Sequence, residues 1–299
     1  PDITVIGTAR DASEARGMIR ALNPDVITLD IEMPGMDGLA FLEKIMTLRP
    51  TPVVLVSGVT EAGAAATVTG LRLGAVACFA KSQLHRDAAP GEACALTALV
   101  REAAGARLSG QTWPKARPVP PPASPALRAP TEPAARDPAS LILIGASTGG
   151  VEALHVLLSG FPEQCPPTVI VQHINPCFAG AIAQSLNRAV APQVMLAESD
   201  LPLVPGRVLI APGSDKHLLV APAGGRGFRA VLRAGEPVSG HRPSVDCLFR
   251  SAAAALGPVA GPGARAVLLT GMGRDGAEGL AALARIGTHT IAQDEASSV

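Results

Sequence analysis

Three strings in the second half of the chain carry groups suited to acyl transfer. Ser147 stands in Gly145-Ala146-Ser147-Thr148-Gly149-Gly150, after an apolar run at 141–144 and before residues 151–158, whose apolar spacing is helical. Glycines on both sides of a serine permit a sharp strand-to-helix turn. The start of the helix offers free N–H groups and a positive dipole end to a developing oxyanion. The same string also suits a plain helix cap, or a cradle for a dinucleotide pyrophosphate. The cradle requires a carboxylate ~20 residues on, at the end of the next strand, and the run 169–172 ends without one. As G-x-S-x-G it also matches a nucleophile elbow, whose partners follow in the order Ser, acid, His; Asp275 and His289 are the residues in that order. The alternative base is His173, directly after the apolar run 168–172, because a parallel crossover sets consecutive strand ends side by side. Asp275 lies in Gly271-Met272-Gly273-Arg274-Asp275-Gly276 after the run 266–270. From there it can fix an imidazole's tautomer and stabilise its cation.

The first half carries a different chemistry. The run 25–29 leads into Asp30, followed by Ile31-Glu32-Met33-Pro34-Gly35-Met36-Asp37-Gly38. The run 53–56 ends at Ser57, and the run 76–79 is followed by Lys81. Three strand ends would thus bring a carboxylate, a hydroxyl and an ammonium to one edge of a sheet, where open α/β folds bind their ligands. A phosphorylated aspartate needs such neighbours, the ammonium to neutralise added charge and the hydroxyl to donate to a phosphoryl oxygen. Asp30 alone reads equally as a turn carboxylate.

Short β-branched runs at 3–6, 26–29, 53–56 and 75–79 alternate with helical spacing such as 38–48, and the alternation resumes at 141–144, 168–171, 208–210 and 266–269. Both halves therefore predict α/β folds with parallel sheets. Between them, residues 109–139 shift to Pro and Ala and cannot bury a core. The expected organisation is a first domain over 1–108, a linker over 109–139 and a second domain over 140–299. Because residues 1–9 already read as a strand with no initiating Met, sequence is expected upstream. The 299 residues suit two domains. A formal net charge of zero and 2% aromatic residues exclude a nucleic-acid surface built on basic patches and base stacking. No apolar run reaches the roughly 18 residues of a membrane span, and no basic-then-apolar signal opens the chain, so a soluble cytoplasmic protein is expected. Cys78, Cys94, Cys165, Cys177 and Cys247 show no C-x-x-C pair or metal-ligand spacing and read as buried thiols.

The string from Asp30 to Gly38, with Ser57 and Lys81, resembles the receiver domains of two-component response regulators, which share a flavodoxin-like fold. That resemblance implies Asp30 as phosphoacceptor, Ser57 as switch hydroxyl, Lys81 as the neutralising lysine, and a Mg²⁺ held by Asp30 and the Glu32 carbonyl. Three departures stand out. The acidic pair of the first strand lies before the chain begins, Ser82 replaces the usual proline, and Ala77-Cys78 replaces Asp-Phe. The second half resembles the catalytic domain of the chemotaxis protein-glutamate methylesterases (CheB). The strings that carry this are Ile144 to Gly150, Val171-Gln172-His173, Ile210-Ala211-Pro212-Gly213 with His217-Leu218, His241-Arg242-Pro243-Ser244-Val245-Asp246, and Leu269 to Gly276. This resemblance implies a doubly wound parallel sheet, as in the first half, with Ser147 as nucleophile, His173 as general base and acid, and Asp275 as its orienter. Backbone N–H groups of Thr148 and Met272 would donate to the oxyanion, and catalysis would need no cofactor. It further implies a cytoplasmic monomer acting on methyl-accepting chemoreceptors and phosphorylated by a chemotaxis histidine kinase, with the receiver covering the active-site face until then. His217, His241 and Asp246 read as loop supports or substrate readers. The rival expectations are a docking module that hydrolyses nothing and, more distantly, a nicotinamide-dependent enzyme.

Overall fold

The computed structural model describes residues 2–33, 37–58, 60–83, 95–106, 108, 141–224 and 227–298. The expected linker at 109–139 and Cys94 lie outside them.

In the first half, β1 (Ile27–Asp30), β2 (Val53–Ser57) and β3 (Ala77–Ala80) form a parallel sheet in that order. It is flanked by α1 (Ala12–Leu22), α2 (Gly38–Leu48), α3 (Glu61–Arg72) and α4 (Ala95–Ala104). β2 is buried along nearly its whole length, as a central parallel strand with helices on both faces must be. α2 starts where Asp37 accepts a hydrogen bond from the Leu39 N–H, and it turns Phe41, Leu42 and Ile45 into the core. The pairings Asp30↔Val56 and Ser57↔Ala80 set Asp30, Ser57 and Lys81 at one edge of the sheet. The strand expected at 3–6 is not formed. A strand needs a ladder partner for its N–H and C=O groups, no described residue supplies one, and Val5 and Ile6 stay exposed.

The second half holds a six-stranded parallel sheet in the order β11-β10-β4-β5-β7-β6. Its strands are β4 (Ile142–Ala146), β5 (Thr168–Gln172), β6 (Gln193–Leu196), β7 (Arg207–Ile210), β10 (Arg265–Leu268) and β11 (His289–Ala292). Four fully buried central residues, Leu143, Ile144, Val169 and Ile170, each contribute roughly 1.5–3 kcal/mol by leaving water. α5 (Gly150–Ser159) and α6 (Pro176–Ala189) cover one face and α7 (Val245–Ala260) and α8 (Ala277–Arg285) the other. An antiparallel hairpin of β8 (Lys216–Pro222) and β9 (Phe228–Ala234) adds to the parallel fold expected. The chain leaves β4 for β5 on one side, while β10 pairs with β4 on the other. The end of β4 is therefore a topological switch point, where such sheets open a crevice.

The two halves share a core: α3 of the first packs against α5 and α6 of the second. Arg72 pairs with Glu152 at 3.4 Å, and Asn175 donates to Gln83 at 2.7 Å.

Candidate active site

Ser147 occupies the switch point. Its N–H donates to the Thr270 carbonyl (3.0 Å), and its own carbonyl accepts from the Gly150 N–H (2.8 Å) and Gln172 Nε2 (2.7 Å). Those bonds tie the serine to β10, α5 and β5 at once. Gly271 makes the approach of β10 possible, because a Cβ there would lie 2.6 Å from Ser147 Cβ. Gly149, at φ +75°, takes the left-handed N-cap of α5, which no side chain caps.

His173 follows β5 as Ser147 follows β4. The pairing Ala146↔Gln172 and a bond from the His173 N–H to the Ala146 carbonyl (2.9 Å) make the two residues neighbours. Both line one cavity of about 390 Å³. His173 Nε2 meets Asp275 Oδ2 at 2.8 Å, while its Nδ1 is buried with no hydrogen-bond partner among the described residues. With the carboxylate on Nε2–H, the lone pair lies on Nδ1, the nitrogen left for a serine hydroxyl.

Asp275 is 1% exposed. Besides His173 it accepts from Ser244 Oγ (2.7 Å), the Val245 N–H (2.7 Å) and the Asp246 N–H (3.0 Å), at the start of α7. Burial alone would raise its pKa, but those four hydrogen bonds outweigh it and bring the value down to about 2. It stays ionised beside the imidazole. His289 falls away as a partner: it begins β11 opposite Arg265, the residue that β10 also pairs with Ile142, so it sits at the far end of the strands from Ser147.

Thr148 is buried, and Met272 is half-buried on the turn after β10. Of the undecided trio, His217 and Asp246 are supports. His217 Nδ1 accepts from the Ser244 N–H (3.1 Å) and its Nε2 meets the Glu236 carbonyl (2.9 Å), while Asp246 accepts from the Gly279 N–H (2.7 Å). His241 instead lies flat on His173, ring centroids 3.8 Å apart.

The first half reaches into this site. Thr148 Oγ1 donates to Glu102 of α4 at 2.8 Å, and a Cβ on Gly105 would sit 3.0 Å from the Met272 methyl. At its own edge, Lys81 Nζ pairs with Asp30 Oδ2 at 2.7 Å and the Glu32 N–H donates to Asp30 Oδ1 at 3.0 Å. Both members of the pair are more than a third exposed, so it contributes at most about 1 kcal/mol. Ser57 is fully buried, and its hydroxyl bonds the carbonyls of Gly58 and Gly63, both at 3.2 Å. Residues 34–36 of the Asp30 string lie outside the described residues. Among those described, no cluster of His, Cys, Asp or Glu could hold a metal. Asp30 and a Glu32 carbonyl fall short of the about six oxygens that Mg²⁺ takes, so the described residues do not fit a complete magnesium centre. Cys78 and Cys165 are buried as expected, and burial pushes Cys78 up to about 12; Cys177 is exposed.

Residues 142–299 match the family model for CheB methylesterase, and residues 1–88 match that for the response regulator receiver domain. The chain belongs to the CheB methylesterase family. A CheB relative from Caulobacter vibrioides, a protein-glutamate methylesterase/protein-glutamine glutaminase, is 48% identical over all of this chain and 82% of its own length. One from Rhizobium johnstonii with the same activities is 46% identical over all of the chain and 81% of its own. The crystal structure of the Thermotoga maritima CheB methylesterase catalytic domain matches with a TM-score of 0.50 and 34% identity, over 53% of this chain and 82% of that one.

Sequence reasoning missed four residues that build this candidate site. Ser244 lies in a string already singled out, but its dual role as α7 N-cap and Asp275 donor had no separate signal. Gln172 ties the Ser147 and His173 carbonyls together. Gln293 Oε1 accepts from the Thr270 N–H and so steadies the turn behind Ser147. Glu102 carried no signal at all.

Proposed function

We propose that the chain hydrolyses γ-glutamyl methyl esters on methyl-accepting chemoreceptors, with Ser147, His173 and Asp275 as its catalytic triad. The observation that carries this is the His173–Asp275 pair, anchored on the start of α7 and set beside the Ser147 turn in a shared cavity. His173 Nδ1 takes the proton of Ser147 Oγ as the oxygen attacks the ester carbonyl, and the Thr148 and Met272 N–H groups receive the oxyanion. The C–O bond to methoxide breaks, and the imidazolium proton leaves with it as methanol. Water then attacks the acyl-serine, giving its proton to His173, which returns it to Ser147 as the glutamate carboxyl departs. Asp275 stays ionised throughout and holds the positive ring. The same acyl chemistry, with ammonia as leaving group, serves glutamine deamidation, the second activity in the relatives' names.

Residues 1–108 act as a cytoplasmic receiver that a chemotaxis histidine kinase phosphorylates on Asp30, with Ser57 and Lys81 sensing the phosphoryl group. Residues 109–139 link it to the catalytic domain at 140–299. The Glu102–Thr148 bond supports a receiver that closes the cavity while unphosphorylated.

The test is methanol release from carboxyl-methylated receptor signalling domains. Release that Ser147→Ala abolishes, and that rises when Asp30 is phosphorylated, is expected. A folded, unmodified chain that releases none would leave the docking-module reading.

A further inference from the structure

The face of the general base is as deliberately held as its edge. The rings of His173 and His241 are parallel to within 5°, with centroids 3.8 Å apart. His241 is delivered there by a two-residue turn, in which Val238 and His241 exchange both backbone hydrogen bonds at 3.0 Å while Ser239 and Gly240 adopt φ of +52° and +81°. Ser239 Oγ ties that turn to Asp246 (3.4 Å), and Arg242 donates to the Gly235 carbonyl (3.0 Å). Two residues on, Ser244 caps α7 and donates to Asp275. One segment, 238–246, thus governs two sides of His173: its edge through Ser244 and Asp275, its face through His241. No hydrogen bond to either ring nitrogen of His241 is found among the described residues, so the ring is held by its backbone and by the stack.

We propose that His241 is a positioning residue for the acyl transfer: its ring, laid on one face of His173, stops that imidazole from rotating and keeps water off it, so that Nδ1 stays turned to Ser147 while Nε2 stays on Asp275. Asp275 alone cannot do this, because a single hydrogen bond to an edge leaves the ring free to swing about it. A near-attack geometry that loosens by about 1 Å costs on the order of 100-fold in rate. The stack also suits the charge that His173 takes up, since an uncharged aromatic face attracts a cation. Burial, and then His173 itself, hold His241 below the ordinary histidine range, against the pull of Asp275 and Glu102. A positive charge on His173 thus works against a second one on His241. Among the described residues, the charged groups that act on His241 besides His173 are Asp275 from the β10 turn and Glu102 from α4.

This inference rests on the triad assignment, and the experiment separates the two. Methanol release by the full chain, and labelling of its serine by a fluorophosphonate, are measured for the unmodified protein and for Ser147→Ala, His241→Ala, His241→Leu and His241→Phe, with folding checked by circular dichroism. Ser147→Ala abolishing both signals upholds the triad; if it does not, the triad fails whatever His241 does. Given the triad, His241→Ala and His241→Leu are expected to lose about 10- to 100-fold in kcat and in labelling rate, with KM within about threefold. His241→Phe, flat and without charge, is expected to stay within about fivefold of the unmodified protein and to keep the acid limb of its pH–rate profile. Leu as active as Phe, either Ala or Leu within threefold of the unmodified protein, or Phe no better than Ala would overturn the proposal.

Discussion

Replacing Asp275 by Asn tests the active site and the fold with one substitution. The carboxylate only accepts, and it accepts four times: from His173, Ser244, Val245 and Asp246. Asparagine offers one acceptor oxygen and an NH₂. With its oxygen toward His173 and Val245, the NH₂ confronts the Asp246 N–H; turned the other way, the NH₂ confronts His173 and forces the proton onto Nδ1, which removes the base. Loss of tautomer and of the charge opposite the imidazolium costs about 10³–10⁴ in kcat, or about 4–5.5 kcal/mol of barrier. Stability falls separately. Lowering the carboxyl from 3.8 to about 2 corresponds to about 2 kcal/mol in favour of the folded state, and at ~2–4 °C per kcal/mol Tm drops by about 4–8 °C. Because the folded pKa is depressed, that contribution is complete above about pH 4 and disappears as pH falls through about 2, so the difference in stability between the two proteins closes over that window. Methanol release and thermal unfolding followed by circular dichroism measure both, with His173→Ala as a control that loses the base but leaves the α7 donors on Asp275. An Asp275→Asn protein within tenfold of full activity, or one whose Tm at pH 7 is unchanged, would refute the reasoning.

Two other perturbations follow from groups outside the triad. Glu102→Ala removes the carboxylate that holds Thr148 from the receiver side; at about 1.5–3 kcal/mol for a charged hydrogen bond, methanol release by the unphosphorylated chain rises about 13- to 160-fold, and unchanged basal release would break the link between that contact and closure. His155, buried in α5 beside Ser185, is held down to about 4, first by burial and then by Arg72. Its folded pKa lies below the unfolded 6.5, so it leaves stability untouched above that pH and erodes it by about 3 kcal/mol as pH falls from 6.5 to 4. Denaturant unfolding of His155→Gln should lack that slope, and a His155→Gln protein with the same acid sensitivity would show that another group is responsible.

What could be read in the sequence follows from where the physics is local. The runs at 141–144 and 168–171 became β4 and β5 because a parallel strand covered on both faces must be apolar along its length, and Ser147, His173 and Asp275 followed because turns at the carboxyl ends of such strands share one edge. The run at 3–6 has the same composition and no strand, since pairing is a property of two segments and the sequence displays only one. The β8–β9 hairpin escaped because Lys216, Arg229 and Arg233 break its apolar pattern and five residues separate its arms. Glu102 could not be found: it meets Thr148 across 46 residues, and an acidic residue in a half-exposed helix looks like any solvated one.

The start of α7 explains how a loop remote in sequence from both Ser147 and His173 would govern the proposed chemistry. A helix beginning leaves N–H groups without intrahelical partners, and here Val245 and Asp246 spend theirs on Asp275, with Ser244 acting as cap and donor together. The carboxylate proposed to stay charged during the reaction is thus the group that completes the helix. Evicting it from the site would strand those donors in a buried place, where an unpaired group costs about 1–3 kcal/mol. Holding Asp275 in place therefore needs no strain at the reacting atoms, and the segment that does so also carries His241 onto the face of His173. Activity and folding of the second domain should fail together when this corner is disturbed, whereas loss of Ser147, whose side chain no helix end depends on, should remove activity and leave Tm within about 1–2 °C of the unmodified protein.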